Sequence, residues 1–112
     1  MAYDEDLANR LRELLAGEEG ITEKKMFGGL AFLLHGNMSV SASRRGGLLV
    51  RVDPAESEEL VSRRHVELME MGGRSMDGWL YVAPEGIRTM RELSSWVGRG
   101  VQYAKTLAPK RR

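Results

Sequence analysis

Glycine-containing turns divide the middle of the chain into segments of strand length. Thirteen of the 112 residues are glycine, whereas average usage of about 7% would give roughly eight. Between two of these turns, Met38, Val40 and Ala42 alternate with serines, a period of two that is typical of a strand with one solvated face. Short segments joined by tight turns indicate an antiparallel sheet. We predict strands over residues 24–27, 30–34, 38–42, 48–52, 66–69 and 79–82.

Apolar residues recur at helical spacing near both ends of the chain, and capping residues mark a further helix between them. Leucines spaced by three and four residues follow an acidic stretch that starts at Asp4, which suits a helix N-terminus. Asp53 and Pro54 begin a second helix as its N-cap and first-turn residue. In a third helix Met90 and Val97 belong to the apolar stripe, and two internal glycines allow close packing or mark a bend. We predict helices over residues 4–16, 53–63 and 85–107.

The order of these elements is α-β-β-β-β-α-β-β-α, which predicts an α+β fold. Helices in such a fold cover one face of a mostly antiparallel sheet. The length of 112 residues fits a single domain over residues 1–112. We expect its two ends, residues 1–3 and 109–112, to be flexible.

Composition excludes several classes of protein. The chain has no cysteine, so it has no disulfides, thiol catalysis or thiolate metal sites. The longest apolar run, residues 30–34, is far shorter than the ~20 residues that span a bilayer. The N-terminus lacks the basic and apolar regions of a signal peptide. We therefore expect a cytoplasmic protein that does not enter a membrane.

The motifs that carry chemistry are incomplete in this sequence. His35 and His65 lack the spacing of metal ligands. The glycine-rich loop over residues 71–78 lacks the lysine and hydroxyl residue of a phosphate loop, and its Ser75 lacks the final glycine of a nucleophile elbow. We predict no catalytic residues, no metal and no cofactor, and hence that the protein is not an enzyme.

Charge is distributed unevenly along the chain. Residues 1–23 carry seven acidic and two basic side chains, whereas residues 88–112 carry seven basic and one acidic. The basic end predicts a ridge along the third helix for nucleic acid or an acidic partner, although the pI of about 8.1 lies below the value above ~9 of typical nucleic-acid domains. A solvated helix face, or packing of the acidic end against the basic end, explains the same pattern. The ridge consists of Arg88, Arg91, Arg99, Lys105, Lys110, Arg111 and Arg112.

Five motifs in order give the chain a family resemblance. It resembles the TfoX/Sxy N-terminal domain family from about residue 8 to residue 109. The resemblance implies an α+β domain similar to secretion-chaperone-like folds and implies no catalytic residues. Full-length members regulate competence genes with the cyclic-AMP receptor protein at promoters and carry a second, helical C-terminal domain. We expect this chain to be a stand-alone N-terminal domain that lacks the helical one. The motifs are KKMFGGLAF at 24–32, GNM at 36–38, GLLVRV at 47–52, GRSMDGWLYV at 73–82 and WV at 96–97.

The family pattern also marks cationic residues that packing alone does not explain. Lys25, Arg51 and Arg74 are expected to converge, with Lys24 and Trp79 beside them, as a site for an anion or a partner protein. The competing interpretation is that these cations form ion pairs with Glu67, Glu70 or Asp77.

Three functional hypotheses follow. The first is a non-catalytic regulatory or protein-interaction domain with a partner of unknown identity, and it leaves the oligomeric state open. The second is a nucleic-acid-associated protein that uses the basic ridge. The third is an anion-binding protein or an unrecognised enzyme at Lys25, Arg51 and Arg74.

Overall fold

A six-stranded antiparallel sheet with the strand order β1-β2-β3-β4-β6-β5 forms the centre of the protein. The computed structural model describes residues 3–26, 28–71 and 73–109. This architecture confirms the predicted α+β class and the order of the elements. The strands are β1 (Ile21–Met26), β2 (Gly29–Leu34), β3 (Asn37–Ala42), β4 (Leu48–Arg51), β5 (Val66–Met71) and β6 (Arg74–Val82), and the helices are α1 (Glu5–Leu14), α2 (Ser57–Leu60) and α3 (Met90–Lys105).

One face of the sheet packs against α1 and α3. Leu7 and Leu11 of α1 and Leu93 and Val97 of α3 are buried there. Phe32, 1% exposed, is the largest fully buried side chain. The strand residues of this core are Leu30, Phe32, Leu34, Val40, Ala42, Leu48, Val50, Leu80 and Val82.

Local capping sets where the helices begin. The Asp4 carboxylate accepts hydrogen bonds from the amides of Asp6 and Leu7, so α1 starts one residue after it. The third helix starts at Met90, later than predicted, because Pro84–Gly86 forms a 3₁₀ turn and Thr89 is the N-cap. Met90 is consequently 39% exposed and does not belong to the apolar stripe.

The predicted second helix is divided in two. Pro54–Glu56 forms a 3₁₀ turn, and only the next four residues, α2, are α-helical. Asp53 caps the turn through a hydrogen bond from the amide of Ala55, as expected. The helix therefore ends at Leu60, earlier than the predicted residue 63.

The serines of β3 do not face solvent, so the predicted solvated face of this strand is wrong. Ser39 and Ser41 are 0% and 3% exposed. Their hydroxyls donate to the carbonyls of Phe32 (2.9 Å) and Leu30 (3.1 Å). Because these bonds satisfy the hydroxyls, serine can occupy buried positions in a central strand.

Most of the predicted glycine-rich loop is strand. β6 begins at Arg74 and continues through Gly78, whose φ of +85° is a conformation that glycine adopts without strain. A Cβ at this position would lie 3.0 Å from the carbonyl oxygen of Val52. The Gly78 amide donates to the buried hydroxyl of Ser57 at 2.6 Å. The glycine thus permits a bend that joins β6 to the segment after β4.

Two exposed carboxylates have lowered pKa values. The amide and hydroxyl of Thr89 both donate to Glu92 at 3.1 Å, and these bonds lower the pKa of Glu92. The guanidinium of Arg12 donates two hydrogen bonds to Glu23, at 2.8 and 3.0 Å, which lowers the pKa of Glu23. Both carboxylates therefore stabilise the fold only while they are ionised.

We expect these two glutamates to contribute to loss of stability in acid. A lowered pKa in the folded state gives stabilisation that is complete above the ordinary value of 4.5 and is lost as the pH falls through the folded-state pKa. The melting temperature of the Glu23→Gln/Glu92→Gln variant should therefore fall less between about pH 6 and pH 3 than that of the wild type. Glu19→Gln, at an exposed position after α1, is the control. Parallel melting curves for all three proteins would contradict the assignment.

None of the helices in the described part of the chain has the length and apolar character needed to cross a membrane.

Candidate functional site

The second face of the sheet carries an apolar cluster of its own. Its four buried members are Ala31, Met38, Leu49 and Tyr81. The buried side chains and the half-buried ones around them all come from strands, except Ala83, which directly follows β6. None comes from the helices described here. We call this surface the helix-free face. The half-buried side chains around the four buried ones are Met26, Leu33, Met69, Trp79 and Ala83.

A bulge in the sheet brings Met38 to this face. The register between β2 and β3 shifts between Phe32 and Leu33, so Phe32 pairs with Val40 but Leu33 pairs with Met38. Val40 consequently packs in the helix-side core and Met38 in the second cluster. The strict alternation predicted for this strand holds only on one side of the bulge.

Arginines lie over the aromatic rings of the helix-free face. The guanidinium carbon of Arg45 is 4.0 Å from the centroid of the Tyr81 ring, and that of Arg51 is 4.8 Å from the Trp79 ring. Arg51 also lies 5.7 Å from the ring of Tyr103 in α3. Each such cation–π contact stabilises the position of the guanidinium group by about 0.5–1 kcal/mol at an exposed site. They hold two positive charges directly beside the apolar cluster.

The strand register decides which predicted site residues share this face. Residues opposite each other in an antiparallel pair project to the same side. Lys24 pairs with Ala31 and Arg51 pairs with Trp79, so these three predicted site residues lie on the helix-free face. Arg74 is two residues from Met76, the partner of Met69, and projects to the same side.

Lys25 lies on the opposite side of the sheet. It pairs with Leu30 of the helix-side core, and its strand is three strand spacings from β4, about 14 Å. The structure therefore does not bring Lys25 and Arg51 together, and the expected convergence of these cations into one site is not found.

The competing interpretation, that acids neutralise these cations, is not observed either. Glu67 pairs with Arg45 at 3.7 Å instead, and both side chains are about 60% exposed. Within residues 3–26, 28–71 and 73–109, Lys25, Arg51 and Arg74 take part in no ion pair.

A cleft of about 450 Å³ opens at one end of the helix-free face. Arg44 and Arg45, in the turn between β3 and β4, line it together with Glu67, Met69 and Tyr81. Neither arginine is among the site residues predicted from the sequence, which gave no sign of their position beside the cluster. The pairing of Tyr81 with Leu49 and Glu67, which brings β5 next to β6, is what places them there.

The basic ridge is only partly a feature of α3. Arg88 precedes the helix, and two of the three described members within it, Arg99 and Lys105, pair with Glu56 (3.7 Å) and Glu18 (3.4 Å). The pair with Glu18 joins the acidic end of the chain to the basic end. The predicted ridge residues Lys110, Arg111 and Arg112 lie outside the described residues.

Arg91 lines a second cleft, of about 540 Å³, beside the start of α3. Arg63 and Arg64 contribute two further cations to it, and Glu85 and Glu92 contribute two carboxylates. Since Glu92 already caps α3 through Thr89, this cleft contains opposite charges side by side. It is less uniformly basic than the predicted ridge.

The chemistry available on the helix-free face is that of a binding surface. Apolar side chains there adjoin guanidinium groups, which can donate paired hydrogen bonds to a carboxylate. The part of the chain that the structure describes contains no group of three histidine or acidic residues that could hold a metal ion.

The chain is thus a small α+β domain with helices on one face of its sheet and a cationic, apolar surface on the other. Residues 13–104 match the family model of the TfoX N-terminal domain. The chain therefore belongs to the TfoX N-terminal domain family, which confirms the resemblance found in its motifs. No curated protein and no solved structure gives a significant match.

Proposed function

We propose that this chain is a non-catalytic, cytoplasmic protein-interaction domain of the competence-regulator type. The observation that carries the proposal is the apolar cluster on the helix-free face, whose buried centre is bordered by partly exposed apolar side chains and lies outside the layer formed by the described helices. Membership of the TfoX N-terminal domain family supports the regulator-like assignment. A partner protein docks on this face.

The composition of the helix-free face suits an interface. Protein interfaces are enriched in aromatic residues, methionine and arginine, and this face presents Met26, Met69, Trp79, Arg45 and Arg51. Burial of apolar surface contributes about 25 cal/mol per Å². Docking of a partner would therefore gain free energy by covering the part of these half-buried apolar side chains that is still exposed.

The two alternative functions receive less support. A nucleic-acid role for the basic ridge is weakened because Arg99 and Lys105 are already paired with acids. An anion site or enzyme at the predicted cations is weakened because Lys25 lies on the other side of the sheet from Arg51.

Photo-crosslinking from the two sides of the protein tests the proposal. A photoreactive amino acid is placed either at Leu33, half-buried on the helix-free face, or at Ser94, exposed on α3. In cell extract, we expect reproducible crosslinks to the same protein from Leu33 and not from Ser94, because only the former adjoins the apolar cluster. Equal crosslinking from both positions, or none from Leu33, would contradict docking on this face.

A further inference from the structure

We infer that the partner segment bound by the helix-free face is an acidic amphipathic helix. This inference rests on the proposed function, because it specifies the occupant of the same surface. Three features support it: the sheet has helices on one face only, cations surround the apolar cluster, and arginines cover the aromatic rings of this face.

The architecture favours a helix as the occupant. A sheet with apolar side chains on both faces is covered by a packed layer on each, and here α1 and α3 provide only one. Across the middle of the helix-free face, Ala31 pairs with Ser41 and Ser41 with Leu49. Two adjacent small side chains let a helix approach the sheet closely, with larger apolar residues on either side.

The charge around the face favours acids on that helix. Five cations adjoin the cluster or its cleft, against the carboxylates of Glu67 and Glu70. Of these cations, only Arg45 forms an ion pair within the described residues. Carboxylates flanking the apolar stripe of a partner helix would complement the four cations that form no ion pair within the described residues. The five are Lys24, Arg44, Arg45, Arg51 and Arg74.

The aromatic rings argue against a nucleic acid in this position. Bases bind open sheet faces by stacking on free aromatic rings. Tyr81 is 4% exposed beneath Arg45, and Arg51 lies over Trp79. The half-buried residues Leu33 and Met69 instead suit aliphatic side chains.

Three labelled peptides of about 18 residues test the inference by fluorescence anisotropy with the full chain. The first has a leucine stripe flanked by glutamates, the second replaces the glutamates by glutamine, and the third replaces the leucines by serine. We expect the first to bind at least about tenfold more tightly than either control and to weaken as salt rises from about 50 to 300 mM. Equal binding of the first two, or no binding of any, would overturn the inference.

Charge-matched variants locate the binding surface. Arg51→Gln/Arg74→Gln should lower the affinity for the acidic peptide about tenfold. Arg88→Gln/Arg91→Gln, which removes the same charge near α3, should leave that affinity unchanged. Lys24→Gln/Arg74→Gln, at exposed positions, replaces the first variant if that one does not fold. Equal effects of the face and α3 variants would overturn the inference.

Two further measurements separate the competing occupants. Oligothymidylate that displaces the acidic peptide would assign the face to nucleic acid, and concentration-dependent dimerisation abolished by Leu33→Glu would assign it to a second copy of this chain. Either result overturns the inference. Crosslinks from Leu33 to a partner without an acidic helix would refute the inference but preserve the proposed function, whereas absence of those crosslinks would refute the proposed function itself.

Discussion

Replacing Gly100 by alanine is expected to lower the free energy of unfolding by about 2 kcal/mol. A Cβ at this position in α3 would lie 2.5 Å from the carbonyl oxygen of Ser39 and 2.9 Å from a methyl group of Val40. Neither neighbour can retreat easily, because both belong to the central strand β3. The gain of about 1 kcal/mol in helix propensity does not offset this clash.

The neighbouring Gly98 provides the matched control. It is exposed in the same helix, and a Cβ there would meet no atom within 4 Å. Gly98→Ala should therefore raise the free energy of unfolding by up to about 1 kcal/mol through helix propensity alone. Urea denaturation of both variants gives the comparison. Stabilisation by both substitutions would show that α3 does not approach β3 as closely as described.

Truncation of Phe32 to alanine is expected to cost about 3–5 kcal/mol. Its ring is 1% exposed in the core between the sheet and the helices, and its removal leaves a cavity that the surrounding strands cannot close. For a domain of this size, such a loss lowers the melting temperature by well over about 10 °C. Calorimetry or thermal circular dichroism measures the change.

The adjacent residue Leu33 should tolerate substitution with a much smaller loss of stability than Phe32. It lies on the helix-free face and is half-buried. Leu33→Ser should therefore lower the free energy of unfolding by less than about 1 kcal/mol, while it lowers the affinity for the acidic peptide. A comparable loss of stability at Phe32 and Leu33 would indicate that both sides of β2 are equally enclosed, contrary to the proposed docking surface.

Prediction from sequence succeeded where local patterns determine structure. The leucine spacing after Asp4 placed the start of α1 within a residue, and the Asp53-Pro54 pair marked the capped 3₁₀ turn that precedes α2, because capping and helical periodicity act over a few residues. Met90 was misplaced because the Pro84–Gly86 turn and the Thr89 cap take precedence over an apolar stripe that continues upstream of the helix.

Prediction failed where contacts between strands decide the outcome. Ser39 and Ser41 look like solvent-facing positions until the carbonyls of β2 are placed beside them. Lys24 and Lys25 are chemically equivalent in the sequence, and only their partners in β2 assign them to opposite faces. The same limit concealed the bulge that moves Met38 to the helix-free face.

The two outer strands have a consequence for how the protein can associate. Residues 22–25 of β1, which include two lysines, are all exposed, and charged side chains on an outer strand disfavour pairing with another chain. At the other margin, the register between β5 and β6 is interrupted between Leu68 and Met69, which likewise hinders strand addition. Both margins of the sheet therefore disfavour growth by addition of another strand.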